Sequence, residues 1–246
     1  MSAEAIAPRT ALVTGANKGI GFAIARGLGR QGYRVWVGAR DAQRGAQAVE
    51  QLKTEGVDAR FLRIDVADDE SVRSAARQVR DSSGCLDVLV NNAGIILGAE
   101  RSPLEQSLDE IKAVFEVNVF GVIRVTQAFV PVLREAASAR VVIVGSGLGS
   151  LGLVTDPKSI YSTANLLAYN TSKTAVNAVT VSFAKALAPH GIKVNVVEPG
   201  NVATDLNGHR GALTPDEGAS VVIRLATMGE DGPSGCFFGH EGLRPW

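Results

Sequence analysis

Seven short apolar runs recur along the chain: Ala11–Val13, Arg34–Val37, Ala59–Ile64, Val88–Val90, Arg140–Val144, Lys193–Val197 and Cys236–Phe238. Runs rich in Val, Ile and Leu with little polar alternation suit strands buried on both faces, which belong to parallel sheets. Parallel neighbours cannot be joined by a hairpin; each connection needs a crossover of a dozen or more residues, usually a helix. Helix-length segments at Ile20–Gln31, Ala42–Glu55, Asp69–Arg80, Leu108–Leu133 and Ala168–Leu187 fall between most of the runs. Repeated strand–helix–strand order with right-handed crossovers predicts an α/β fold, a doubly wound parallel sheet flanked by helices. No internal repeat, charge run or Pro/Ser-rich linker divides the 246 residues, so residues 1–246 read as one domain.

The first strand-to-helix turn narrows what that sheet can bind. Thr14-Gly15-Ala16-Asn17-Lys18-Gly19-Ile20-Gly21 joins Ala11–Val13 to a helix. Three glycines there let the backbone turn tightly and approach a pyrophosphate, while the helix N-terminus adds free amides and a partial positive charge. The spacing is GxxxGxG rather than GxGxxG. Gly147-Leu148-Gly149-Ser150-Leu151-Gly152 does match GxGxxG, but Val154–Lys158 does not begin a helix, so the match is set aside as a dinucleotide site. At the end of the second strand an NAD site carries an acid about 20 residues past the glycines. Here Arg40 occupies that place, 19 residues after Gly21. A guanidinium can take a 2′-phosphate through its fork of donors, and Lys18 can reach the same group. Asp41 either binds a ribose hydroxyl or caps the next helix. The balance of charge predicts NADP(H) over NAD(H).

Thr14-Gly15-xxx-Gly19-x-Gly21, Asn91-Asn92-Ala93-Gly94, Asn118, Ser146, Tyr169-xxx-Lys173 and Pro199-Gly200 followed by Thr204 together resemble the short-chain dehydrogenase/reductase family. The resemblance covers nearly the whole chain, and Asn17–Gly21 with Pro245-Trp246 look closest to carbonyl-reductase-like members. It implies a Rossmann-type dinucleotide-binding and catalytic domain. The cofactor would meet Gly15, Asn17, Lys18, Gly19, Ile20 and Gly21 in the first turn, and Arg40, Asp65 and Val66 at the adenosine end. Asn92, Ala93 and Gly94 would follow, with Asn91 and Ala93 making backbone contacts to the adenosine half. Pro199, Gly200, Val202 and Thr204 would lie near the nicotinamide. Asp65 has capping of a surface turn as its alternative. By the same resemblance Lys173 holds the nicotinamide ribose and Asn118 holds a water in a proton relay.

The chemistry also follows from the residues. Carbonyl reduction needs a hydride donor and a proton for the developing alkoxide. Free tyrosine has a pKa of about 10. Tyr169 and Lys173, four apart in a helical stretch, share a face, so the ammonium should lower the phenol's pKa. Ser146, at the carboxyl end of a strand, can orient the substrate oxygen. Such a Tyr–Lys pair is common on helices; only its company makes Asn118, Ser146, Tyr169 and Lys173 catalytic candidates. Tyr169 follows Ser146 by 23 residues, and the apolar segment between them, Gly147–Leu167, with Ile95–Leu97 suggests a bulky, apolar carbonyl compound more than a small charged acid, so the expected partner is a small-molecule apolar carbonyl or alcohol substrate. The competing reading is a cofactor-binding sensor of the same fold without significant turnover. A hydrolase is excluded because neither Ser146 nor Ser150 lies in G-x-S-x-G.

Twenty-five basic and 25 acidic residues cancel, which argues against nucleic acid or an anionic membrane as partner. No apolar run reads as long enough to span a bilayer, and Met1–Thr10 lacks the pattern of a signal peptide. Cys85 and Cys236 have no CxxC spacing and read as small buried hydrophobes, placing the protein in a reducing, cytoplasmic setting. His190, His209 and His240 do not read as a metal set. Leu108–Leu133 is apolar on nearly every face, which predicts a homodimer or higher oligomer unless the Ser146–Tyr169 segment covers it.

Overall fold

The apolar runs lie side by side in one sheet. In the computed structural model, which describes residues 8–246, the strands are β1 Thr10–Thr14, β2 Arg34–Ala39, β3 Ala59–Arg63, β4 Val88–Asn91, β5 Arg140–Val144, β6 Lys193–Val197 and β7 Phe237–Gly239. The expectation about a leader falls mostly on Met1–Ala7, outside the described residues. The spatial order is β3-β2-β1-β4-β5-β6-β7, all parallel, with a two-residue β8 Gly242–Leu243 antiparallel to β7. This is the Rossmann order. The strand order reverses between β1 and β4, where open α/β sheets bind ligands at their carboxyl ends.

The period of two along each strand supplies two cores. Leu12 enters the cluster built around Phe129 and Val176, whereas its neighbours Ala11 and Val13 enter the one around Ile24 and Leu28. Helices α1 Gly19–Arg30, α2 Ala42–Thr54 and α8 Pro215–Ala226 cover the second face. Helices α3 Asp69–Ser83, α5 Gly121–Leu133 and α7 Leu167–Leu187 cover the first. The helix α8 was not expected, although Thr214-Pro215-Asp216-Glu217 announces it: Thr214 and Glu217 form a capping box with Pro215 in the first turn.

Helix α4 Leu108–Phe115 runs into α5 through a π-helical turn, Glu116–Phe120, giving one continuous helix from Leu108 to Leu133. By length and composition it could cross a bilayer, which corrects the expectation that no apolar run is long enough. Its Val125 and Phe129 are fully buried in the core that covers the sheet, and Val114 is fully buried as well. A core helix apolar on several faces passes the same test as a membrane span.

After β5 the chain makes a one-turn 3-10 helix, Gly147–Gly149, and a short α6, Leu151–Thr155. The short helix begins at Leu151, inside the glycine motif, and ends at Thr155, so none starts in Val154–Lys158. Its five residues start where Ser150 Oγ accepts a hydrogen bond from Leu153 N at 3.0 Å.

Candidate active site

The glycine turn at the end of β1 is shaped by backbone demands. Gly15 and Gly19 have φ of 64° and 57°, a region only glycine enters without strain. A Cβ on Gly21 would stand 2.4 Å from the Gly15 carbonyl and 2.5 Å from Asn92 Nδ2, so helix and turn meet without room for a side chain. Asn92 Nδ2 donates to the carbonyls of Thr14 and Gly15 at 2.9 and 3.2 Å. Thr14 Oγ1 accepts from the amides of Asn92 and Ala93 at 3.0 and 3.1 Å. The Asn92 side chain and the Ala93 amide, expected to face the cofactor, thus brace the turn itself. Thr14 was missed as a functional position, although it opens the motif.

Lys18 is the N-cap of α1, and its side chain makes no capping bond. The first-turn amides of α1 therefore have no side-chain acceptor, and they carry the positive end of the helix dipole, which suits a pyrophosphate. One strand over, Arg40 follows β2, is exposed, and enters no ion pair among the described residues. Asp41 caps α2, its Oδ1 accepting from Arg44 N at 2.9 Å, which decides between its two expected roles. Asp65 Oδ1 accepts from Ala67 N at 3.0 Å, closing its own turn, and Val66 is buried beside Gly121.

The segment after β6 folds over this turn. Thr204 Cγ2 lies 3.5 Å from where a Gly19 Cβ would be, Val202 is buried, and Pro199 O contacts His240 Nε2 at 2.9 Å. A Cβ on Gly200 would meet Leu213 Cδ1 at 2.7 Å. Lys18 Nζ donates to Asp205 Oδ2 at 2.6 Å, and His209 pairs with the other oxygen at 2.8 Å. Lys18 therefore already has an acidic partner. Exposed pairs contribute at most about 1 kcal/mol, so a phosphate can displace Asp205.

At the carboxyl end of β5, Ser146 meets α7. Tyr169 and Lys173 are both buried, with Lys173 Nζ 5.6 Å from the Tyr169 ring centroid. The ammonium donates to Val144 O at 2.8 Å, its one hydrogen bond among the described residues, although it carries three hydrogens. A Cβ on Gly94 would stand 3.8 Å from that nitrogen, so the bare glycine keeps the space before it open. Two unspent donors on a buried cation beside an uncapped glycine turn fit the hydroxyls of a ribose attached to a pyrophosphate.

The electrostatics correct one expectation. Burial pushes the Tyr169 phenol up to about 12, and the hydrogen bond with Ser146 pulls only weakly the other way. Burial also draws Lys173 down to about 8. Loss of water sets both directions: it disfavours the phenolate of Tyr169 and the ammonium of Lys173 alike.

Asn118 sits in the π-helical turn, an irregularity frequent at functional sites. Its Oδ1 accepts from Ile95 N at 2.8 Å, and its Nδ2 donates to Ile95 O and Ser172 Oγ at 3.0 and 3.1 Å. Both amide hydrogens are spent, so the side chain fixes the loop after Gly94 to α7. Gln106 ties the same region together through Leu97 O and Ala168 N, a link that nothing in the local sequence signals.

The model of the family described as short chain dehydrogenase matches residues 9–213. A short-chain dehydrogenase of Penicillium roqueforti, anuI, is 38% identical over 89% of this chain and 88% of its own. The (+)-neomenthol dehydrogenase of Arabidopsis thaliana is 35% identical over 95% and 97%. Among solved structures, the NADPH-bound carbonyl reductase from chicken fatty liver superposes with a TM-score of 0.85 at 29% identity, covering 97% of this chain and 99% of that one.

Proposed function

The chain belongs to the short-chain dehydrogenase family, and we propose that it is an NADP(H)-dependent member interconverting an apolar ketone, aldehyde or quinone and its alcohol. The observation that carries this reading is the meeting of Ser146, buried Tyr169 and buried Lys173 at the carboxyl end of β5, on the same side of the sheet as the glycine turn. When bound, the dinucleotide supplies or accepts the hydride. Ser146 holds the substrate oxygen within reach of the Tyr169 hydroxyl. Tyr169 gives its proton to the forming alkoxide, a stronger base than a phenolate, so the transfer runs downhill despite the raised pKa. The Lys173 charge stabilises the phenolate left behind, and its spare hydrogens hold ribose hydroxyls. Arg40 and Lys18 receive the 2′-phosphate. One sheet carries both halves of the site, and we read the chain as a single domain.

The test is NADPH absorbance followed against menthone, the ketone corresponding to the neomenthol of a relative, alongside quinones, aldehydes and alcohols. Tight NADPH binding without turnover of any of them would favour the sensor reading instead.

Two further expectations arise here. Because Tyr169 keeps its proton well beyond neutrality, Lys173 is the group that titrates within reach, at about 8. Below that pH it is charged and supports phenolate formation; above it the charge is lost. We expect kcat/KM for reduction to fall as pH rises through about 8. In Lys173→Arg the fall should move to higher pH, since guanidinium stays charged; an unchanged break would assign it to another group. For assembly, Phe120 is 49% exposed on the long apolar helix, and the Ser146–Tyr169 segment is hydrogen-bonded to Glu198 and to residues 245–246. We expect a homodimer or higher oligomer, and light scattering that gives one chain mass at micromolar concentration would refute it.

A further inference from the structure

We propose that Glu198, which no step above uses, is a positioning residue that holds the Ser146 turn in place. The proposal rests on the assignment of Ser146 as the group that orients the substrate oxygen.

Glu198 directly follows β6, the strand beside β5, and Gly145 N donates to Val197 O at 2.7 Å, so Ser146 and Glu198 leave adjacent strand ends. Its carboxylate is 2% exposed. A buried carboxylate is costly unless its oxygens are paired. Here each oxygen has a partner from a different part of the chain. Oε2 accepts from the Tyr161 hydroxyl at 3.1 Å, and Oε1 accepts from Arg244 Nε at 2.8 Å. Tyr161 belongs to the segment between Ser146 and Tyr169; Arg244 follows β8.

The pair bears directly on the residue after Ser146. A Cβ on Gly147 would lie 2.3 Å from Glu198 Oε2 and 2.5 Å from the Tyr161 ring. On the other side, a Cβ on Gly149 would lie 2.6 Å from the backbone of Lys173, and Gly149 O accepts from Thr174 Oγ1 and Asn177 Nδ2 at 3.0 and 3.1 Å. The turn is wedged between the Glu198–Tyr161 pair and α7 at Lys173. That is why Gly147 and Gly149 are glycines, and why their match to a dinucleotide motif has no such meaning. A strap closes the arrangement: Ser150 Oγ donates to Pro245 O at 2.7 Å, Gly152 N donates to Trp246 O at 2.9 Å, and the Trp246 ring stacks on Phe237. Glu198 therefore links three segments around the turn that carries the Ser146 hydroxyl.

The experiment places Glu198→Gln and Tyr161→Phe in the parent and in Ser146→Ala, with menthone and NADPH as probes. In the parent, Glu198→Gln should lower kcat/KM about tenfold, and Tyr161→Phe somewhat less, with NADPH Kd by fluorescence unchanged within about twofold. In Ser146→Ala the same changes should have less than about a twofold effect, because residues acting as a unit are not additive. Equal losses in both backgrounds would overturn the positioning role while leaving Ser146 in place. A silent Ser146→Ala would overturn both. A second measurement needs no substrate and uses Tyr161→Phe, which removes one hydroxyl and keeps the ring. Amide exchange over residues 147–150 should quicken about tenfold while the β1–α1 turn is unchanged. Unchanged exchange over 147–150 would also overturn the proposal.

Discussion

Tyr169→Phe is expected to lower carbonyl reduction by about 10²–10⁴-fold while the protein stays folded. The ring is buried, with the Lys173 ammonium 5.6 Å from its centroid, and phenylalanine keeps that packing. What is lost is the hydroxyl beside Ser146 that holds the transferable proton. Phenylalanine has no ionisable group, so no change of pH should rescue the variant. NADPH binding should be nearly unaffected, because the unspent donors belong to Lys173. Single-turnover rates with the best ketone check this. Retention of more than about a tenth of the parent rate would remove Tyr169 from the role of acid.

The second large effect concerns the cofactor. The unmodified protein should prefer NADPH over NADH by tenfold to a few hundredfold in kcat/KM, given about 1.5–3 kcal/mol per charged hydrogen bond and about 1.4 kcal/mol per decade. Arg40→Asp should erase most of this preference and leave NADH turnover comparatively intact. Arg40 is exposed and unpaired among the described residues, so its replacement breaks no internal contact. Asp41 stays engaged as the cap of α2. Lys18 remains as a second cation, shared with Asp205, so a residual preference is expected. Equal or better efficiency of the unmodified protein with NADH would refute the assignment.

The parts of this protein that could be read from sequence are those written in local patterns. Strands β2, β4, β5 and β6 carry short β-branched runs whose burial on both faces removes polar alternation, and β5 and β6 match their expected bounds. The glycine turn is legible because only glycine tolerates its backbone angles and close contacts. What was not legible depends on partners far along the chain. Nothing near Asn118 tells that its amide is spent on Ile95 and Ser172, and nothing near Glu198 tells that Tyr161 and Arg244 converge on it. The direction of the Tyr169 pKa was misjudged for the same reason: charge is visible in a sequence, whereas loss of water is a property of the assembled site. Helix α8 is different, since its capping box was present and overlooked.

The π-helical turn at Glu116–Phe120 has a genetic consequence. It accommodates one residue more than a regular helix would, so the α4 and α5 halves are out of phase by one position, about 100° of rotation. No substitution removes that offset. Loss of a single codon within the turn would, and it would swing Val114 out of the core or carry Asn118 away from Ile95, depending on which half yielded. A one-residue deletion here is therefore a graver lesion than most replacements.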